Sequence, residues 1–381
     1  MRRRLADRRE SLLWLACVLT LALAGSARAD AERDAQLAEL RPPKRARPLV
    51  AVLANNGGTE TTDFVVPLGV LRASGIADVL AVAMRPGPIE LMPALRVRAD
   101  LDAAAFDRTH PQGADYVIVP ALHDWDDPVV SAWLAAQARA GAVVIGICEG
   151  AWVLGAAGLL DGRRATTHWF SVTGLRDRYG VTWAENRRYV ADRGVATTTG
   201  VTASIPLSLT LVEAVAGRAR AEELAREFGA PSFGAEHDSA RFALGRGSVW
   251  TLASNWLAFW SHESLEVPIA AGVDEVALAL TSDAWARTYR SSVHAVAAGG
   301  EVTSRRGLTF LVDPPTEGAV AIALPADGAP ALDGASRKSS GATGEPRPTS
   351  WRSSWNTRRA DPLRSARLPS PWAAPATHGS A

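Results

Sequence analysis

The chain has almost no cysteine: Cys17 and Cys148 are the two among its 381 residues. That excludes a disulfide scaffold. Seven histidines are scattered, with no H-x-x-x-H and no cysteine pair, so no metal site is expected. Charge of one sign is also lacking. A formal net charge of +1 argues against a general binder of nucleic acid or anionic membranes, and no nucleic-acid partner is expected. There is no phosphate-loop pattern, and "NNGG" (55–58) is not a dinucleotide fingerprint, so no cofactor is expected. What remains is an ordinary globular composition, 47% apolar and 21% charged.

The N-terminus reads as a targeting segment. "MRRRLADRRE" is a basic n-region, "LLWLACVLTLALAG" an apolar h-region, and Ala27-Arg28-Ala29 an A-x-A cleavage pattern. Residues 1–29 are therefore expected to be a signal peptide, and the protein exported to the periplasm or beyond. The apolar run is short for a membrane span, so no stable membrane insertion is expected after cleavage. An uncleaved signal anchor is the alternative, and Sec or twin-arginine export is left open. Cleavage removes Cys17 and leaves Cys148 as a lone thiol. Residues 30–47 are charged and Arg/Pro-rich and read as a surface leader. Residues 335–381 carry eight Lys/Arg against two acidic residues without periodicity, a disordered basic tail.

Between these ends, continuously apolar runs alternate with helical stretches. "PLVAVLA" (48–54), "ADVLAVAM" (77–84), "ADYVIVPAL" (114–122) and "AVVIGI" (142–147) read as buried strands, and "ALRVRAD" (94–100) as a further strand. "FVVPLGVLRASG" reads as a helix with Pro67 in its first turn, where a missing N–H is harmless. This pattern predicts an α/β fold, a doubly wound, flavodoxin-like parallel sheet sandwiched by helices, over residues 48–230. A smaller α/β segment follows at 238–334. Its stretch 272–313 repeats the helix, strand, turn, strand order of 63–100, which suggests a truncated internal copy. The copy has no cysteine, so a structural or interface role is expected for it.

The chain places Cys148 where "AVVIGI" breaks into a helix. A strand that turns sharply into a helix holds its first residue strained and exposed, the geometry of a nucleophile elbow. A helix N-terminus favours a thiolate. Gly150 is small enough for the helix to pack close behind. A buried core cysteine is the competing reading.

"GICEGAWVLGAAGLLDGRRATTHW", "TTTGVTASIPLSLTLVE" and "TDFVVPLGVLRASGI" resemble the ThiJ/PfpI family of the class I glutamine amidotransferase-like superfamily. The branch is the one shared with isocyanide hydratase and the N-terminal domains of AraC-type regulators. The resemblance spans about 48–230. It implies a carboxylate beside the cysteine, here Asp63, four residues before Pro67; helix capping competes for Asp63. It implies a histidine after the elbow helix, here His168, which can pair with Cys148 as general base or be a hydrogen-bonded core residue. It implies an anion site from backbone N–H groups, here Glu149 and Gly150 with Ala121 and Leu122 of the "PALHDWDDP" loop. His123 and Asp124 of that loop line the pocket or decorate the surface.

Two departures limit what carries over. Glu149 stands where family peptidases have histidine, and no acidic residue follows His168 closely as in glutamine amidotransferases. Neither activity is expected. The hydratase branch has threonine at 149, and a carboxylate there opposes a thiolate unless it points away. The expected function is cysteine-dependent hydrolase, hydratase or lyase chemistry on a small electrophilic molecule. The alternative is a non-catalytic sensing or interaction domain. A homodimer is left open.

Overall fold

The computed structural model describes residues 31–40, 42–230, 232–239, 263–288 and 291–325. The expected signal peptide and basic tail lie outside these residues. Residues 31–39 are helical (α1) rather than a surface leader. Leu37 on this helix and Leu40 just past its end are buried in the main core, and Gln36 Oε1 accepts the Ala191 N–H at 2.6 Å.

The central sheet has seven strands. They are β1 (Leu49–Ala54), β3 (Asp78–Ala83), β6 (Leu101–Asp102), β7 (Tyr116–Val119), β8 (Val143–Gly146), β11 (Tyr189–Asp192) and β12 (Val195–Thr198). Their order is β11-β12-β8-β7-β1-β3-β6, and all run parallel except β11, which turns back on β12. The turn between them uses Arg193 and Gly194, both at positive φ, as a tight hairpin requires. β1 is buried along its whole length because both faces are covered. Val50 and Val52 enter one core and Ala51 and Leu53 the other.

One face carries α2 (Thr61–Ser74), α7 (Val201–Ala216) and α8 (Arg218–Glu227). The opposite face carries α3 (Ala103–Thr109), α4 (Pro128–Arg139), α5 (Gly150–Ala156) and α6 (Val172–Tyr179). The fold is thus the expected doubly wound α/β sandwich. The chain winds from β1 outward to β3 on one side, then to β7 and β8 on the other. The crevice at this reversal, at the carboxyl ends of the strands, is where such sheets bind ligands.

Two expectations need correction. Pro67 is not in the first turn of its helix: α2 starts at Thr61, capped by the Glu60 side chain, so Pro67 lies in the interior. A proline there cannot donate to the carbonyl of Asp63, four residues back. The strand expected at 94–100 is β5 (Arg96–Arg98), outside the central sheet. It forms a hairpin with β4 (Ile89–Met92), and that hairpin pairs with the chain's C-terminal segment.

The C-terminal segment holds β13 (Glu263–Pro268), α9 (Glu275–Ala286), β14 (Ser291–Val296), β15 (Glu301–Thr303), β16 (Thr309–Leu311) and β17 (Val320–Ala321). β13 and β14 are parallel, as are β1 and β3. Helix α9 packs directly on α2, and its Val276 and Leu278 join the core that α2 helps to build. The closest approach is at Gly69, where a Cβ would lie 2.6 Å from Val276 Cγ2 and 3.1 Å from Glu275 Oε1.

Gly69→Ala is therefore expected to destabilise the protein. The overpacking cost of about 1–3 kcal/mol exceeds the gain in helix propensity of about 1 kcal/mol. Urea unfolding of Gly69→Ala, Val276→Ala and the double variant checks this. The double variant should be no less stable than Val276→Ala alone.

Candidate functional site

The elbow is built by close backbone approach. Ile147 continues β8, donating to Val119 O at 2.8 Å, and Gly150 N closes a turn onto Ile147 O at 2.7 Å. Cys148 between them has φ +56°, a left-handed conformation uncommon for a side chain of this kind. A Cβ on Gly150 would lie 2.1 Å from Val119 O, so a larger residue cannot follow the elbow this way.

Two threonines hold the strained residue. Thr198 Oγ1 accepts from the Cys148 N–H at 3.3 Å and from the Gly200 N–H at 3.3 Å. Thr167 Oγ1 donates to Cys148 O at 2.9 Å. Neither was singled out in the sequence, although both lie in "ATTHW" and "ATTTG", stretches with more hydroxyls than a buried strand end needs. Gly200, with φ +129°, opens the space over the sulfur. A Cβ there would sit 3.3 Å from Cys148 Sγ and 3.6 Å from His168 Cδ2. The thiol and the imidazole thus flank the same glycine, and no hydrogen bond joins them.

The acidic side of the site comes from the start of α2. Glu60, not Asp63, caps this helix: its carboxylate accepts from Asp63 N at 2.5 Å and from Thr62 Oγ1 at 2.9 Å. Freed of capping, the fully buried Asp63 directs Oδ2 to the Ala121 N–H at 3.2 Å. Its Oδ1 is buried with no hydrogen-bond partner among the described residues. An orphaned buried carboxyl oxygen is costly and calls for an explanation.

Sequence reading missed the counter-charge. Arg287, at the end of α9, pairs with Asp283 at 2.7 Å through Nε and with Glu60 through Nη2. The cation comes from more than 220 residues away in sequence, and nothing near Arg287 resembles a site motif.

Burial dominates the electrostatics. It raises Glu60 to about 7, assisted by Asp283 and opposed by Arg287. Burial, then the charge of Glu60, holds Asp63 well above the usual carboxylate range. Burial, then Asp63, Glu149 and Glu60, pushes the Cys148 thiol up, with Arg287 opposing. Burial alone would lower Arg287, but Asp283 and Glu60 outweigh it and hold the guanidinium above its ordinary value. Burial, then Arg287, lowers His168 to about 4, which makes it a neutral acceptor at neutral pH. All three shifts, of Cys148, Asp63 and His168, run against charge on the buried group.

The expected anion site needs correction at two positions. The Ala121 N–H is engaged by Asp63, and the Gly150 N–H closes the elbow turn. Gly150 serves close packing instead. The Leu122 N–H makes no hydrogen bond among the described residues, because Thr59 and Leu122 form a bridge whose bonds pass through the neighbours Glu60, Ala121, Gly58 and His123. Glu149 directs its carboxylate to the Ser171 hydroxyl at the start of α6. His123 and Asp124 stay on the loop, with the His123 N–H on Gly58 O at 3.0 Å. Among the described residues no group of three or more His, Cys, Asp or Glu is placed to hold a metal.

A parallel α/β sheet with a cysteine on a strand-to-helix elbow defines the class of protein. The DJ-1/PfpI family model matches residues 49–214, and the chain belongs to this family. A Streptomyces lividans protein of the cpoL 5′ region is 37% identical over 116 residues, covering 26% of this chain and 79% of that protein. Isonitrile hydratase of Pseudomonas putida is 45% identical over 83 residues, covering 22% of this chain and 34% of the enzyme. The HTH-type transcriptional regulator CdhR of Pseudomonas aeruginosa is 36% identical over 101 residues, covering 26% of this chain and 30% of the regulator. The chain thus spans about a third of the hydratase and of the regulator. A solved DJ-1 superfamily protein from Salmonella typhimurium covers 49% of this chain and 100% of its own, at 25% identity and a TM-score of 0.43. With helix-turn-helix regulators among the relatives, a near-neutral net charge does not exclude a DNA-binding partner.

The His168 imidazole is expected to stay neutral down to about pH 4, well below an exposed histidine. Its folded pKa is depressed, so the unfolded state binds the extra proton first. This group's contribution to stability is present above about pH 6.5 and is lost as pH falls toward 4. A proton NMR titration of His168 checks it, and a midpoint near 6.5 would contradict the burial argument.

Proposed function

We propose that the protein is a cysteine-dependent enzyme acting on a small electrophile, such as a carbonyl, nitrile-like or amide group. The carrying observation is the strained Cys148 beside Asp63, whose buried Oδ1 has no partner. Strain at a cysteine and an orphaned acid are expected where a reacting molecule completes the bonding.

The directions of the pKa shifts at Cys148, Asp63 and His168 suggest the sequence of proton moves. Sγ attacks the electrophilic carbon while the thiol proton passes to neutral His168. The π bond of the electrophile breaks, and the atom that gains the electron pair takes the proton held on Asp63. The Leu122 N–H supports the developing charge. Glu149, turned toward Ser171, stays clear of the attack path. Isonitrile hydratase among the relatives makes water addition to a C–N multiple bond one reaction to assay.

A second reading is sensing without turnover. It is favoured by the thiol itself: no donor among the described residues reaches Sγ, and burial, then Asp63, Glu149 and Glu60, raises its pKa against Arg287. The regulators among the relatives are consistent with it.

Turnover of a panel of small isonitriles, aldehydes and amides separates the two. The enzyme reading expects consumption of one class, abolished by Cys148→Ser and slowed about 100-fold or more by Asp63→Asn. Ligand-induced thermal shifts with no consumption and no adduct on Cys148 would leave the sensing reading.

We also propose export, on the n-region, apolar run and A-x-A pattern of residues 1–29. N-terminal sequencing of protein recovered from the expressing bacterium should begin at Asp30. An intact Met1 start in a membrane fraction would show an uncleaved anchor.

A further inference from the structure

The C-terminal segment follows the first half of the protein element by element. β13, α9, β14, β15 and β16 match β1, α2, β3, β4 and β5 in order, and each begins 212 to 214 residues after its counterpart. The hairpins agree in register as well. Ile89 pairs with Val97 in the first, and Val302 with Phe310 in the second, each 213 residues on.

The two copies face each other as symmetry mates do. β5 and β16 pair antiparallel, and Val97 lies opposite Phe310, its own counterpart. On the helices, Gly69 of α2 meets Glu275 and Val276 at the start of α9. In the reciprocal contact, the end of α9 meets the start of α2, where Arg287, also paired with Asp283, pairs with Glu60. In a twofold contact, if one residue touches a second, the equivalent of the second touches the equivalent of the first.

The copies differ in chemistry. After its hairpin the second adds β17, which pairs parallel with β13 as β7 does with β1, and among the described residues it brings no elbow. Its contribution is Arg287, the cation that opposes the three carboxyl groups raising the thiol. The groups bearing on Cys148 are Asp63 and Glu60 at the start of α2, Glu149 on the elbow, Arg287 at the end of α9 and His168 on the other side of Gly200.

We propose that the C-terminal segment is an internal counterpart of residues 49–98, seated on them about a pseudo-twofold axis within one chain, and that Arg287 is its positioning residue for the Cys148 site. One chain thereby fills its own α2 and β5 surface and completes a single asymmetric site. The role of Arg287 rests on the reading of Cys148 as a reactive thiol; the seating of the segment does not.

Two measurements on the full processed chain test this. The first is the pH profile of Cys148 alkylation by iodoacetamide. Glu60→Gln removes an anion and leaves the cation, so alkylation should speed up at a given pH. In that background Arg287→Gln removes a cation alone and should slow alkylation roughly threefold or more, while Arg287→Lys should stay near the parent. Should Glu60→Gln/Arg287→Gln not fold, Asp283→Asn is added to it and to both of its comparison proteins, so that no unpaired carboxylate remains; the same slowing is then required. A thiol that reacts but ignores residue 287 overturns the inference and leaves the proposed chemistry standing. A thiol inert at every pH overturns the role of Arg287 together with that chemistry.

The second places a disulfide across the register pair Arg98 and Thr309, as Arg98→Cys/Thr309→Cys with the native cysteines changed to serine. Non-reducing electrophoresis should show a cross-linked single chain. Disulfide-linked dimers would mean that the segment is exchanged between copies and would overturn the in-chain seating.

Discussion

The Arg287 guanidinium lies between Asp283 on its own helix and Glu60 at the start of α2, and the site is organised around that contact. Burial, then Asp283, pushes the Glu60 carboxyl up to about 7, and the Arg287 cation opposes that rise. Glu60 caps α2 and takes the amide of Asp63. Asp63 is then free of capping and faces the amide of Ala121 and the thiol of Cys148. Breaking such a buried pair from one side leaves an uncompensated charge, at a cost of about 3–5 kcal/mol. That makes the pair a strict condition on how α9 seats against α2.

The elbow is the second constraint, and it is met by small residues and hydroxyls rather than charge. Gly150 admits the backbone of Val119 and Pro120, and Gly200 leaves the sulfur uncovered. Thr167 and Thr198 satisfy the amide and carbonyl of a cysteine whose left-handed conformation takes it out of any regular ladder. Burial acts against charge on all three groups, raising the thiol and the acid and lowering the imidazole.

The chemistry-bearing positions of the first half were legible because they sit on abrupt changes of pattern. Cys148 ends a continuous apolar run, Asp63 opens a helix, and His168 follows a hydroxyl-rich stretch. The sequence could not show which amides were already engaged. Ala121 and Gly150 are spent on local bonds, a fact that depends on where Asp63 points and how tightly the elbow turns. Nor could it show that Glu60 rather than Asp63 is the cap, since both carboxylates lie within one turn of the helix start.

By itself the sequence determined the parallel sheet, because continuously apolar runs alternate with helical stretches. It also determined the elbow, because a cysteine between a strand and a helix of small residues leaves the chain few other conformations. The tertiary structure decided the rest. Hairpin β4–β5 left the central sheet to pair with β16, and Leu37 and Leu40 brought a charged N-terminal stretch into the core. Arg287 became part of the site because α9 crosses α2 at Gly69. Contacts between residues so far apart leave no local periodicity to read; they arise only when two helices approach closely enough to share one buried cluster of charge.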